Sequence, residues 1–313
     1  MAANTTSQSF TDMSFGGSKR AGVLIALLSV YLIWGSTYLG IAVALESFSP
    51  VALGVSRFAL SAAILFFVLL VIKREALPRP RQMLNAMLIG VLTLGIGTTA
   101  VAFAEQHVSS GLAALAVAAT PLWTAAFSFV LFKRPTRLEW VGLLVGFSGM
   151  VLLNLDKGLS GQPQGALPLI IGPVSWSFGS ILSKRLDMPK GFMAIAFECL
   201  GAMLMMAALM LITGDRLPAN PSATSVLAIV YLATFGSLIG FTAYIYLLDN
   251  VRPAIATSYA YVNPIVALAL GVLLLAEGDS VTPLMLVAMA VILGGVILVG
   301  YAAGRGQKQP AAS

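Results

Sequence analysis

The 313-residue chain is 58% hydrophobic and only 10% charged, and its mean hydropathy is +0.94. Because soluble domains carry about 25% charged residues, this composition excludes an ordinary soluble domain and indicates a protein that crosses a membrane several times. The single cysteine, Cys199, excludes an intrachain disulfide framework. The formal net charge of +6 raises nucleic-acid binding as a hypothesis, which the placement of the charges can test.

In chain order, residues 1–20 are polar and are predicted to form a disordered cytoplasmic tail. The apolar run that follows is longer than the core of a signal peptide, which has about 7–15 residues, so we interpret it as a first membrane helix. Including this first helix, hydropathy predicts ten membrane spans. Residues 304–313 are predicted to form a second cytoplasmic tail. The predicted spans cover residues 21–45, 51–72, 83–104, 111–132, 138–155, 165–183, 190–212, 223–247, 254–275 and 283–303.

The lysines and arginines predict an orientation. With the N-terminus in the cytoplasm, 15 of the 18 basic residues lie in cytoplasmic segments, and only Lys157 and Arg216 lie in outer loops. This bias follows the positive-inside rule and predicts that both termini are cytoplasmic. Because the basic residues would lie beside an anionic lipid leaflet, membrane lipid is the expected partner and no nucleic-acid partner is expected.

The two halves of the chain resemble each other at a fixed offset. A shift of 143 residues gives nine identities in the 36 positions between residues 96 and 131, and it pairs Pro121 with Pro264. Because each half holds five predicted spans, an odd number, the second half would enter the membrane from the opposite side. The predicted fold is therefore an all-α integral membrane protein with ten transmembrane helices. They form two inverted five-helix repeats, residues 21–155 and 165–303, around a central cavity, as in many secondary transporters.

The two paired prolines predict breaks in their helices near the middle of the membrane. A proline removes one intrahelical hydrogen bond and frees the carbonyl four residues earlier, which belongs to Val117 for Pro121 and to Ala260 for Pro264. In hydrocarbon such a carbonyl must find another partner or line a polar cavity. We therefore expect a binding site close to both prolines.

Aromatic residues at the same depth are the candidate lining of that site. Membrane aromatics usually form belts at the two interfaces, or simply fill the core, but these residues lie near the middle of their spans. An asparagine precedes the second proline. The predicted substrate-binding residues are Trp34, Tyr38, Trp176, Tyr259, Tyr261 and Asn263.

Two charged residues, Arg57 and Glu198, fall within the predicted spans, where an ionisable group is costly and suggests function. Arg57 lies close enough to the outer end of its span that its side chain could instead reach the headgroups. Glu198 is the one acid placed to bind and release a proton, which would couple transport to a proton gradient. The alternative is that Glu198 holds its helix to a neighbour by hydrogen bonds, so coupling and structural roles both stay open.

The remaining motifs bear on the oligomeric state and on metals or cofactors. Gly142 and Gly146 permit close approach of a second helix, and packing within the chain is preferred over dimerisation, so a monomer is expected. Metal-ligand clusters, nucleotide-binding loops and nucleophile elbows are absent from the sequence, so neither a metal nor a cofactor is expected.

Several segments together resemble a known family. The segments are YLIWGSTYLGI (31–41), SWSFGS (175–180), ATSYAYVNP (256–264) and the matched tripeptides that end in the two prolines. Together they are similar to the drug/metabolite transporter superfamily, and within it to the EamA-type bacterial exporters. The resemblance covers residues 21–303. It implies ten helices in two inverted repeats, a location in the bacterial inner membrane, and export of amino acids, including neutral and aromatic ones, or of related small metabolites without ATP.

Two other classes of function stay open on the sequence alone. A passive channel or facilitator could also be lined by proline-broken helices. An integral membrane enzyme acting on lipid would need clustered acids, histidines or cysteines, whereas this chain has one histidine, His107, and a lone membrane acid. Among carriers, transport of nucleotide sugars or lipids is less favoured, because few basic residues lie at mid-membrane to bind phosphates.

Overall fold

A computed structural model describes residues 17–131, 136–154, 163–250, 259–275 and 282–306 of the chain. In these ranges all regular secondary structure is helical. In the first half the helices are α1 (Gly17–Leu45), α2 (Pro50–Phe66 with the π-helical turn Phe67–Ile72), α3 (Pro80–Gly90, the π-helical Val91–Thr98 and Thr99–Glu105), α4 (Ser110–Val117 and Thr120–Leu131) and α5 (Arg137–Asn154). In the second half they are α6 (Pro163–Ser183), α7 (Phe192–Thr213), α8 (Ala223–Tyr231, the π-helical Leu232–Ile239 and Gly240–Asn250), α9 (Tyr259–Leu275) and α10 (Pro283–Gly306).

Length and composition identify the helices that can cross a membrane. In the part of the chain that the structure describes, six helices are long and apolar enough: Arg20–Leu45, Pro50–Ile72, Pro80–Glu105, Gln164–Ser183, Phe192–Thr213 and Ala223–Tyr244. Two shorter apolar helices, Val262–Leu274 and Pro283–Gly295, belong to α9 and α10. Large apolar side chains point outward, such as Leu211, which is 84% exposed, as expected for a surface in contact with lipid. The predicted all-helical membrane protein is confirmed at this level.

Three of the helices begin at serine caps. Ser49, Ser109 and Ser222 each have an extended backbone, and the hydroxyl oxygen of each accepts a hydrogen bond from an amide three residues later. Such caps satisfy amide groups that have no carbonyl partner in the first turn of a helix. Pro50 follows its cap at the first helical position, where the missing N–H costs nothing. These local signals explain why α2, α4 and α8 start where they do.

Helices of the two halves pack closely against each other. α2 packs along α7, α5 along α10, α1 along α8 and α9, and α6 along α3 and α4. Glycines permit the closest contacts: a β-carbon on Gly295 of α10 would lie 2.4 Å from the Cα atom of Gly146 on α5 and 2.8 Å from the carbonyl oxygen of Gly142. The Gly142–Gly146 pair therefore packs against α10 of the same chain, as expected for small residues at helix contacts in membranes.

The π-helical turns of α3 and α8 are related in position. Each has eight residues, and they begin 141 residues apart, at Val91 and Leu232. A π-helical turn widens the helix and leaves backbone groups with altered partners, and such turns occur frequently at functional sites. Residues of both turns line the candidate site described below: Gly97 and Thr98 from the first turn, and Gly236 from the second.

Candidate functional site

A cavity of about 120 Å³ lies between the two halves of the chain. α1, α2, α3 and α4 line it from the first half, and α6, α8 and α9 line it from the second. This volume is far above the roughly 10–15 Å³ that a single buried water requires, so the cavity has room for a small solute. Five of the six residues predicted from the sequence to bind substrate line this cavity: Trp34, Tyr38, Trp176, Tyr259 and Asn263. The side chain of the sixth, Tyr261, is outside the part that the structure describes.

Trp34 connects α1 to α8 and α9. Its indole Nε1 donates a hydrogen bond of 3.1 Å to the carbonyl oxygen of Gly236, in the π-helical turn of α8. Its ring lies edge-on to Phe241 and Tyr259, with centroids 5.5 and 4.8 Å away, and at a tilt to Tyr244 at 5.2 Å. Such pairs add about 0.5–1.5 kcal/mol each beyond the buried area. Trp34 therefore organises one aromatic wall of the cavity.

Phe241, which the sequence did not single out, joins this wall to the opposite side. Its ring stacks on Trp176 of α6 at 6.3 Å with an interplanar angle of 14°, while it also contacts Trp34. The repeat could have indicated this residue, because Phe241 lies 143 positions after Thr98, and both line the cavity. Other lining residues without an aromatic signal, such as Gly236 and Pro173, were also missed.

The predicted helix break at Pro121 is present. α4 is interrupted at Ala118 and Ala119, directly before Thr120 and Pro121. The Val117 carbonyl, predicted to lose its partner, accepts a hydrogen bond of 2.6 Å from the hydroxyl of Thr120. Both Val117 and Thr120 line the cavity, so the break brings polar backbone to its wall.

Pro264 does not interrupt its helix as Pro121, its counterpart in the first half, does. It lines the cavity, but α9 is helical without interruption from Tyr259 to Leu275, so the break expected at Pro264 is not seen in this helix. The carbonyl that Pro264 deprives of a donor belongs to Ala260. A membrane helix accommodates a proline without a break where neighbouring groups satisfy that carbonyl. Residues 251–258 lie outside the described part.

Arg57 lies at the cavity and not at the headgroups. Its side chain is 6% exposed, and its Nε donates a 3.3 Å hydrogen bond to the hydroxyl of Ser237, in the π-helical turn of α8. The guanidinium carbon lies 5.5 Å from the ring centroid of Phe58. The alternative that Arg57 reaches outward to lipid headgroups is therefore contradicted, because its side chain turns toward α8.

Glu198 is placed differently. It lies on α7, partly buried, where this helix packs against α3, and it is not among the residues that line the cavity. The contact there is so close that a β-carbon on Gly90 of α3 would lie 1.9 Å from the backbone carbonyl oxygen of Glu198. In the residues that the structure describes, no hydrogen-bond donor pairs with its carboxylate. Of the two charged residues within the predicted spans, Arg57 therefore lines the cavity and Glu198 does not.

Comparison with known proteins decides the family. The model of the EamA-like transporter family matches the chain twice, over residues 20–155 and over residues 163–301. The chain belongs to the EamA-like transporter family. This EamA-like protein is thus a multi-pass membrane transporter, as the resemblance of its sequence segments predicted.

Individual relatives agree with this family. The EamA-like chain is 45% identical to the inner membrane transporter YedA of Escherichia coli (strain K12) over 275 residues, which cover 88% of this chain and 89% of YedA. It is 27% identical to the transporter YdfC of Bacillus subtilis (strain 168) over 286 residues, which cover 90% of each. A crystal structure with 21% identity matches with a TM-score of 0.62 over 91% of this chain and 99% of the other, which shows a common fold. The protein is therefore a multi-pass transporter of the inner membrane.

Proposed function

We propose that this EamA-like transporter exports neutral and aromatic amino acids, and related small metabolites, by alternating access. The observation that carries the proposal is the cavity between the two halves, lined by Trp34, Trp176, Phe241 and Tyr259. Its volume suits a solute the size of a neutral amino acid. Ring faces attract an ammonium group, and apolar walls accept an aliphatic or aromatic side chain.

The arrangement of the helices supports a ten-helix fold with two inverted repeats, residues 21–155 and 165–303. Contacts between the halves come in related pairs: α1 with α9 and α6 with α4, α1 with α8 and α6 with α3, α3 with α7 and α8 with α2. α2 with α7 and α5 with α10 pair helices at equivalent positions of the two halves. A two-fold axis between the halves would produce this pattern, and the double match of the family model agrees with it. Because the Gly142–Gly146 pair is used within the chain, we propose that the protein acts as a monomer.

A panel of labelled solutes tests the substrate class. Purified protein in liposomes is expected to move neutral and aromatic amino acids, with competition between them, because one cavity serves them all. Phosphorylated metabolites are expected to move much more slowly, since Arg57 is the only basic residue among the described residues that line the cavity. Transport of a phosphorylated metabolite without transport of either class of amino acid would contradict the proposal.

The proposed orientation predicts the location of the loops. Reporter fusions at Arg79 and after Arg305 should report the cytoplasm, and a fusion at Gly161 should report the outside, because the basic residues concentrate on one side of the spans. Alkaline phosphatase and green fluorescent protein fusions give opposite signals and control for expression. A reversed signal at any two positions would remove the basis for an inverted pair of halves.

We also propose that Glu198 couples export to a proton gradient. Because Glu198 does not line the cavity, its protonation would act on the substrate site through movement of α7 against α3. Glu198→Gln keeps the shape of the side chain but removes the proton site, so it should abolish accumulation driven by a pH gradient. Exchange of substrate without a gradient should continue near the wild-type rate. An unchanged response of Glu198→Gln to an imposed pH gradient would assign coupling elsewhere.

A further inference from the structure

Arg57 has more hydrogen-bonding capacity than its surroundings use. A guanidinium carries five N–H donors in a planar fork, and it stays charged. Within the described ranges, the hydrogen bond from Nε to Ser237 is the one that its side chain makes to the protein. The Ser237 hydroxyl itself donates to the carbonyl oxygen of Leu232, which leaves its lone pairs free to receive Arg57. Ser237 therefore holds the base of the fork, and the outer nitrogens remain available.

The outer end of the fork lies beside the aromatic wall. A β-carbon on Gly236 would stand 3.4 Å from Nη2 of Arg57, and the carbonyl of the same glycine accepts the hydrogen bond from Trp34. Glycine at this position thus keeps the space in front of the guanidinium open. The fork and the indole meet at one point of the cavity lining.

No carboxylate of the described residues forms an ion pair with Arg57, although this residue is only 6% exposed. A buried charge without a partner is costly, and in a membrane protein it is retained where a ligand or ion supplies the opposite charge. Among the described residues, its side chain donates to the neutral hydroxyl of Ser237 and lies over the ring of Phe58. A small anion in the cavity would supply the missing negative charge.

A second unsatisfied group lies in the same lining. Asn263 of α9 is 7% exposed, and its Oδ1 atom has no hydrogen-bond donor among the described residues. Oδ1 is an acceptor, so it suits an N–H donor such as an ammonium group. The ring of Tyr259 lies on the same helix and also lines the cavity, which adds a π-face that favours a cation.

We infer that Arg57 binds the carboxylate of the transported molecule and that Asn263 receives its ammonium group. The inference rests on the proposed function, that this cavity is the transport site, and it adds the chemistry that selects the substrate: a free carboxylate is required. The guanidinium fork can bind both oxygens of a carboxylate, which fixes the orientation of the substrate as well as its charge. Amides and simple amines with the same side chain should bind more weakly.

Four compounds with one side chain separate these contributions: leucine, leucinamide, isocaproate and isoamylamine. Binding to purified protein in detergent is measured from the rise in Tm with ligand concentration, which yields an apparent Kd for each compound. Leucine is expected to bind best and isocaproate next. Leucinamide and isoamylamine should bind roughly tenfold or more weakly than leucine, because they lose the charge-assisted bonds to the fork.

Variants then assign the preference to Arg57. Arg57→Gln should bring the apparent Kd of leucine to that of leucinamide, while Arg57→Lys, which keeps the charge but not the fork, should keep part of the preference. Arg81→Gln removes an exposed arginine outside the cavity and should leave all four values unchanged. A purely structural role of Arg57 would weaken all four compounds alike and leave their order intact.

The order of the four apparent Kd values is measured on the wild-type protein, so this test does not depend on whether a variant folds. Equal stabilisation by leucinamide and leucine, or none by leucine and isocaproate, would overturn the inference, even if liposomes transport amino acids. Conversely, a carboxylate preference that depends on Arg57, in a protein that moves no amino acid in liposomes, would support the inference and contradict the proposed function. The two proposals thus fail by different results.

Discussion

Trp34→Ala is expected to reduce amino-acid transport at least about tenfold, since the change removes three ring contacts and one hydrogen bond that together amount to several kcal/mol. The wall of the cavity formed by Phe241 and Tyr259 would lose its central member. Transport of a labelled neutral amino acid into liposomes, normalised to the amount of inserted protein, measures the effect. Trp34→Phe should retain more activity, because it keeps an aromatic ring and loses mainly the bond to Gly236.

Trp140→Ala is the matched control for the loss of a tryptophan. This residue lies on α5, is 52% exposed and does not line the cavity, so its removal should leave transport near the wild-type rate. Wild-type transport by a correctly inserted Trp34→Ala protein would place the substrate site away from this cavity. A loss as large in Trp140→Ala would indicate that the assay reports insertion and not binding.

Gly295→Ala is expected to destabilise the protein strongly for so small a change. Its β-carbon would approach the Cα and backbone nitrogen of Gly146 to 2.4 Å, and backbone atoms cannot turn aside as a flexible side chain can. Overpacking of this kind costs about 1–3 kcal/mol or more, against a gain of up to about 1 kcal/mol from the higher helix propensity of alanine. The net result is a lower Tm of the purified protein in detergent.

The neighbouring Gly294 supplies the control on the same helix. A β-carbon there would meet no atom within 4 Å, so Gly294→Ala should keep or slightly raise the Tm. Equal Tm values for the two variants would contradict the close packing of α5 against α10. The comparison also tests whether the Gly142–Gly146 pair packs inside the chain or between two copies.

Features that depend on composition and periodicity could be predicted from the sequence. The length of the apolar runs predicted membrane helices, and aromatic residues at mid-span predicted a cavity lining that contains Trp34, Trp176 and Tyr259. The proline in α4 predicted its break because a missing N–H acts locally, within four residues of Pro121. These signals need no knowledge of which helices are neighbours.

Features that depend on neighbouring helices could not be predicted. The direction of Arg57 is set by Ser237, 180 residues later, and by the space in front of Gly236, so its distance from the end of the helix suggested a different placement. Phe241 is one of 16 phenylalanines in an apolar chain; the repeat pairs it with Thr98, but its contacts with Trp34 and Trp176 are what place it in the cavity wall. The π-helical turns likewise have no signature in their composition.

Counterflow in liposomes tests most directly whether the cavity serves an alternating-access exporter. Liposomes containing the wild-type protein are loaded with unlabelled leucine, and entry of labelled leucine is followed after dilution. A carrier moves substrate in both directions through one site, so internal leucine should accelerate entry of the label, and the rate should saturate with concentration. An entry rate that is independent of internal leucine and rises linearly with external leucine would indicate a passive channel and contradict the account.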